Sequence, residues 1–124
     1  MGKVKTLTKD DFGFAWSPRA TIYNGIAYLS GSCSIDPYTG DLVQGDIATE
    51  ADMTLNNLKL VIEKIGAAAE DILHFTVYLA DIKDREVFIE VFSRHFKTNP
   101  AKTIVAVKDL WRGIRTEVSC EVAI

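Results

Sequence analysis

Apolar residues recur at helical spacing in the middle of the chain and predict a helix from about Ile47 to Ile65. Asp46 and Thr49 are both plausible N-caps, and Gly66 is suited to end the helix. One side of this helix should therefore face the core, along a stripe formed by Ile47, Ala51, Leu55, Leu58, Ile62 and Ile65.

A second helix is predicted to begin at a cap on Asp84 and to end near Phe96, because Asn99-Pro100 interrupts the pattern. Its spacing places five side chains on the inner side, namely Val87, Phe88, Val91, Phe92 and His95.

Shorter apolar or alternating segments predict six strands. Residues 21–23 and 26–29 flank Asn24-Gly25, a pair suited to both central positions of a type I′ hairpin turn. Residues 72–80 form a further strand, and others are predicted at residues 3–8, 102–108 and 114–123. In the 72–80 strand we expect one face to be formed by Leu73, Phe75, Val77 and Leu79.

The element order β-β-β-α-β-α-β-β indicates an α+β fold with a single mixed sheet. Each strand–helix–strand crossover should be right-handed, which puts both helices on one face of the sheet. The strands carry apolar or small side chains on both faces, for example Ile104 and Ala106 against Val105 and Val107. The face without helices therefore predicts self-association.

Length and composition indicate one globular domain, residues 1–124, with 48% hydrophobic and 25% charged residues. The net charge of −3 and the mixing of acidic with basic residues argue against nucleic-acid binding, and no apolar run is long enough to span a membrane. No apolar segment follows the N-terminal charges, so we expect a cytoplasmic protein. Cys33 and Cys120 are too few for a disulfide framework or a zinc site, and no metal or other cofactor is expected.

Several segments, taken in order, carry a resemblance to a known family. They are Tyr28–Gly31 followed by Ile35–Gly40, then Ile72–Asp81, then Pro100–Thr103. Their order and spacing resemble the Rid family, the YjgF group that is often labelled endoribonuclease L-PSP. The resemblance implies a chorismate-mutase-like fold and a homotrimer, with a ligand cleft between adjacent subunits.

The resemblance also implies an activity, the hydrolysis of enamines and imines such as 2-aminoacrylate to a keto acid and ammonia. In the family an arginine pairs with the substrate carboxylate, and here that position is Lys102. The family's water-orienting glutamate corresponds to Ser119, with Glu117 and Glu121 two residues away on the same strand face. The family's Ser-Gly pair after the first hairpin is retained, as Ser30 and Gly31.

Each candidate residue has an alternative explanation. Lys102 is either an anion anchor or a solvated lysine, since an ammonium lacks the bidentate fork of arginine. Arg19 and Arg115 are candidates to replace the guanidinium, although Arg115 could instead pair with a carboxylate. Glu121 either polarises a water, pairs with a neighbouring subunit or is merely exposed at an edge.

The aromatic and histidine side chains are expected to be structural. Trp16 and Trp111 are predicted to pack in the core or at an interface. His74 and His95 have no partner at metal-ligand or nucleophile spacing in the sequence.

Two functions are consistent with these residues. The first is a Rid-like imine deaminase whose activity on 2-aminoacrylate is weak, because the bidentate arginine is missing. The second is a non-catalytic protein that uses the trimer cleft to bind a small carboxylate-bearing metabolite or a protein partner. A ribonuclease is disfavoured by the absence of a basic surface stripe.

Overall fold

A computed structural model describes residues 2–124 of the protein. Its strands and helices are, in chain order, β1 (Lys5–Leu7), α1 (Lys9–Phe12), β2 (Ala20–Tyr23), β3 (Ile26–Leu29), α2 (Ile47–Lys64), β4 (Ile72–Leu79), α3 (Arg85–His95), β5 (Ala101–Ala106) and β6 (Thr116–Ala123). Short 3-10 turns lie at Ala69–Asp71, Ile82–Asp84 and Trp111–Gly113. Within this described part of the chain no helix is long and apolar enough to cross a membrane.

The six strands form one mixed sheet in the order β1-β2-β3-β6-β4-β5. Only β4 and β5 are parallel neighbours, and every other adjacent pair is antiparallel. Helices α2 and α3 pack against each other and share one core with the sheet face that they cover. The predicted α+β architecture, with two helices on one face, is confirmed. The one-turn helix α1 was not predicted.

Helix α2 follows its sequence pattern closely. The Asp46 carboxylate accepts a hydrogen bond of 2.8 Å from the Thr49 amide, so Asp46 is the N-cap. The apolar stripe is buried except for Ile65, which is partly buried. Gly66 follows the helix with a φ of 81°, a left-handed conformation that glycine adopts without strain.

The predicted start of α3 needs correction. Asp84 makes no capping hydrogen bond, because the chain enters the helix through a 3-10 turn that Asp81 caps by accepting from the Lys83 amide at 2.9 Å. Val87 is 40% exposed rather than internal, whereas Phe88, Val91 and Phe92 are buried. Spacings of three and four residues bring these three onto the core side, and Val87 lies outside that arc.

Strand β4 contains a bulge that sequence alternation did not reveal. Ile72 pairs with Val122 and His74 pairs with Glu121, so Leu73 is an extra residue. Leu73 is 48% exposed, and the prediction that it faces inward is wrong; Ile72 is buried instead. Beyond the bulge, Phe75, Val77 and Leu79 are fully buried as predicted.

The sheet face without helices is more polar than predicted. Tyr23 and Tyr28 are about half exposed and Val105 is 39% exposed, but hydroxyl and charged side chains of β4 and β6 lie between them. This uncovered face is a mixed surface of aromatic, hydroxyl and charged groups.

A buried carboxylate joins the start of α2 to the start of β6. Glu50 is only 1% exposed, and its two oxygens accept hydrogen bonds from the Gly45 amide at 3.1 Å and the Arg115 amide at 2.9 Å. The Arg115 guanidinium lies 3.8 Å from the same carboxylate. Glu50 therefore satisfies two backbone donors that the sheet does not use.

Two further polar side chains of α2 hold the loop that follows β3. The Asn57 amide donates to the carbonyls of Cys33 at 2.9 Å and Ile35 at 2.7 Å, and the Ser32 hydroxyl donates to the Thr54 carbonyl at 3.1 Å. Asn57 and Thr54 are both buried. The loop is thus fixed by the buried side of the helix.

We predict that Glu50→Ala lowers the free energy of unfolding by about 2–4 kcal/mol, because two amides lose their acceptor. Glu86, whose side chain is 84% exposed in α3, is the matched control, and Glu86→Ala should change stability by less than about 0.5 kcal/mol. Chemical denaturation of both variants measures the difference. Equal stability of the two variants would contradict a structural role for the buried carboxylate.

Candidate functional site

The candidate site lies where β3 ends and β6 begins. Strands β3, β4 and β5 run in the same direction, so their carboxyl ends meet at one end of the sheet. Beyond β3 the chain stays beside β6, because Ser32 and Val118 exchange backbone hydrogen bonds of 2.7 and 3.0 Å. Segment 30–33 therefore borders the first half of β6.

Glu117 lies directly against the backbone of Gly31. A Cβ atom on Gly31 would be 2.7 Å from Glu117 Oε2 and 2.8 Å from its carboxyl carbon, so the close approach depends on glycine. Glu117 is half-buried on the uncovered face and forms no ion pair within residues 2–124. A carboxylate in this setting can accept a proton from a water molecule.

Cys33 completes this group with a protonated thiol. Burial, followed by the negative charges of Glu117 and Glu50, raises the pKa of Cys33 to about 11. At neutral pH the side chain is a neutral thiol, which is a poor nucleophile. Cys120, the other free cysteine, is buried in β6, as expected for a small apolar side chain, and burial raises its pKa to about 12.

The three predicted catalytic residues share one face of β6, as expected, but they do not form one cluster. Ser119 lies opposite Thr76 on β4, and Glu121 lies opposite His74. Four strand residues separate Glu117 from Glu121, a distance of about 13 Å along the strand. Only Glu117 is close to Gly31.

The two candidate arginines have different surroundings. Arg115 precedes β6 instead of lying on it, and its Nε donates to the Gly45 carbonyl at 2.7 Å beside Glu50. Its pairing with a carboxylate matches the alternative explanation for this residue. Arg19 is exposed next to Ser30, with its amide donating to the Ser30 hydroxyl at 3.0 Å and its carbonyl accepting from the Ser30 amide at 2.9 Å.

Lys102 lies away from these residues within one chain. It pairs with Phe75, so it is on the helix-covered side of edge strand β5. Its Nζ donates to Asn99 Oδ1 at 2.7 Å and lies 4.8 Å from the centre of the Phe92 ring. Three strand spacings, about 14 Å, separate β5 from β3. Lys102 and Gly31 of one chain therefore do not contact the same small molecule.

Sequence reasoning missed Glu50, and took Cys33 for a buried strand residue although it is a half-buried loop residue. Glu50 directly precedes Ala51 of the apolar stripe, and a carboxylate at the border of a buried helix face is a usable signal. Trp16 packs on Phe14 with ring centres 4.6 Å apart, as predicted, whereas Trp111 is 53% exposed in this chain. Among residues 2–124 no three acidic, cysteine or histidine side chains are placed to share a metal ion.

Replacing Glu117 should make Cys33 more reactive. In Glu117→Gln one of the negative charges that oppose thiolate formation is gone, so the pKa of Cys33 falls and more thiolate is present at a given alkaline pH. Iodoacetamide should then label Cys33 at least about 2-fold faster. Glu121→Gln is the control, because Glu121 acts on Cys120 and not on Cys33. Equal labelling of Cys33 in both variants would show that Glu117 is not beside the thiol.

Comparison with known proteins agrees with this geometry. The family model described as endoribonuclease L-PSP matches residues 13–124. A RutC family protein of Pyrococcus abyssi is 35% identical over 92 residues, covering 73% of this chain and 72% of that protein. The human 2-iminobutanoate/2-iminopropanoate deaminase is 34% identical over 101 residues, 81% of this chain and 74% of the relative. The crystal structure of RidA from an Antarctic Psychrobacter species matches with a TM-score of 0.80 at 30% identity, covering 89% of each chain. The chain therefore belongs to the endoribonuclease L-PSP family, the Rid proteins.

Proposed function

We propose that this protein is an imine deaminase that converts a small imino or enamino acid to a keto acid and ammonia, at a cleft between subunits of a homotrimer. The observation that carries the proposal is the Glu117 carboxylate, held against the bare backbone of Gly31 beside a neutral thiol. Several relatives are named 2-iminobutanoate/2-iminopropanoate deaminases, which supports the same reaction class.

Glu117 supplies the general base of this proposal. It removes a proton from the attacking water as the oxygen adds to the C=N carbon, and the protonated nitrogen then leaves as ammonia while the carbonyl forms. The substrate is already activated, so positioning and one proton acceptor account for the chemistry. Ser119, one residue pair along the same face of β6, offers a hydroxyl to the substrate or the water.

Lys102 of a neighbouring subunit is proposed to bind the substrate carboxylate. It lies on the opposite sheet face from Glu117 and three strands from Gly31, so a shared site requires two chains. Its position on an edge strand is compatible with contact across a subunit boundary. Binding to Asn99 and the Phe92 ring keeps its ammonium at the rim of the sheet.

The first test is deaminase activity. An imino acid is generated in situ by an amino-acid oxidase, and its decay to the keto acid is followed in competition with semicarbazide. We expect turnover that falls about 10²-fold in Glu117→Gln. Glu86→Gln removes an exposed charge far from the site and should leave the rate unchanged. Wild-type turnover no faster than the spontaneous reaction would refute the proposal.

The second test concerns the carboxylate anchor. Lys102→Ala should raise KM for the imino acid about 10-fold or more, since a charge-assisted contact is lost. Lys102→Arg should improve activity on 2-aminoacrylate, which we expect to be weak in the wild type, because a guanidinium binds a carboxylate with two hydrogen bonds. An unchanged KM in Lys102→Ala would remove Lys102 from the site.

The third test is the assembly state. Light scattering should give three times the 13.7 kDa chain mass at micromolar concentration. A monomer would leave Lys102 and Glu117 on separate surfaces and would end the shared-site proposal.

A non-catalytic metabolite-binding protein is the second candidate. Lys102 is already engaged by Asn99 and Phe92, and a serine occupies the position where the family resemblance expects a glutamate. Calorimetric binding of 2-oxobutanoate by a protein that shows no turnover would favour this function over the deaminase.

A further inference from the structure

Three side chains on the uncovered face form a hydroxyl–imidazole–carboxylate line across adjacent strands. His74 Nε2 is 3.1 Å from the Thr103 hydroxyl, within hydrogen-bond range. On the other side of the ring, His74 Nδ1 is 3.9 Å from Glu121 Oε2, an ion-pair distance. This order of groups is the arrangement that activates hydroxyl nucleophiles in covalent catalysis.

The line exists because three strands are in a particular register. The bulge at Leu73 puts His74 opposite Glu121 of β6, and the parallel pairing with β5 puts Ala101 opposite His74. Thr103 follows two residues later on the same face. The small side chain of Ala101 leaves the imidazole uncrowded on the β5 side. Since Lys102 faces the other side of the sheet, no cation lies between the hydroxyl and the ring.

We propose that Thr103, His74 and Glu121 form a second catalytic site that hydrolyses activated acyl esters, separate from the deaminase site. Thr103 is the nucleophile, His74 the general base, and Glu121 the positioning residue that holds the Nδ1 proton side of the ring. Thr103 is exposed, and the His74 and Glu121 side chains are 36% and 37% exposed, so an ester reaches all three in the isolated chain.

Neighbouring groups can stabilise the charge that develops on the ester oxygen. Thr76 lies directly beside Thr103 on the same face, and Ser119 lies beside Thr76 on the next strand. Hydroxyls next to a nucleophile can donate hydrogen bonds to an oxyanion. Strand β5 is also the edge of the sheet, where alternate amides lack a strand partner.

The reaction balances without a cofactor. The Thr103 oxygen adds to the ester carbonyl carbon while its proton moves to His74 Nε2. The tetrahedral intermediate expels the alcohol, which takes that proton, and leaves acyl-Thr103. A water molecule then adds to the acyl carbon, again losing its proton to His74, and its breakdown returns the Thr103 hydroxyl and releases the acid.

The test uses p-nitrophenyl acetate with the intact protein. We expect p-nitrophenolate release that falls about 10²-fold or more in Thr103→Val, which keeps the side-chain shape but lacks the hydroxyl. His74→Gln should lose activity similarly, and Thr103→Ser should retain it. Thr21→Val, at an exposed position of β2 outside the cluster, is the matched control and should be indistinguishable from wild type.

Mass spectrometry distinguishes this site from other acylated groups. A rapidly quenched reaction should carry one acetyl group on Thr103 in the wild type and none there in His74→Gln. Acetylation confined to lysines, ester hydrolysis equal in Thr103→Val and wild type, or no hydrolysis above buffer would each overturn the proposal. Thermal unfolding of every variant shows that loss of activity is not loss of fold.

Discussion

The buried carboxylate of Glu50 is the interaction on which the geometry of the candidate site depends. A carboxylate removed from water must find donors, and Glu50 finds them in the amides of Gly45 and Arg115. Those two amides belong to the entrance of α2 and the entrance of β6. Satisfying one buried charge therefore sets the position of β6, whose third residue past Glu50's partner region is the exposed end carrying Glu117.

The same helix fixes the other side of the site. Asn57 and Thr54 bind the loop that follows β3, so Gly31 and Cys33 are held beside β6 by polar contacts rather than by apolar packing alone. Such contacts are directional, and hydrogen bonds in a buried setting leave few alternative geometries. The close approach of Glu117 to Gly31 is possible because both sides of the site are anchored to α2.

The uncovered face of the sheet is where chemistry-bearing side chains concentrate. The helix-covered face is apolar and closely packed, so it offers nothing to a solvent-borne ligand. On the uncovered face, Glu117 and the Thr103–His74–Glu121 line lie at opposite ends of neighbouring strands. One sheet surface thus holds two separate groups of polar side chains, one beside the loop after β3 and one near the beginning of β4.

The sequence by itself determined the order of the main elements, the two packed helices, the hairpin turn at Asn24-Gly25 and the family. These features depend on local spacing and on turn residues, and both can be seen in a linear chain. It also placed Glu117, Ser119 and Glu121 on one strand face, because alternation along a strand is local. Tertiary structure alone decided the rest. The bulge at Leu73 depends on pairing with β6, the burial of Glu50 depends on which amides lack partners, and the separation of Lys102 from Glu117 depends on strand order. Each of these is a relation between segments that are distant in the chain, so no local pattern specifies it.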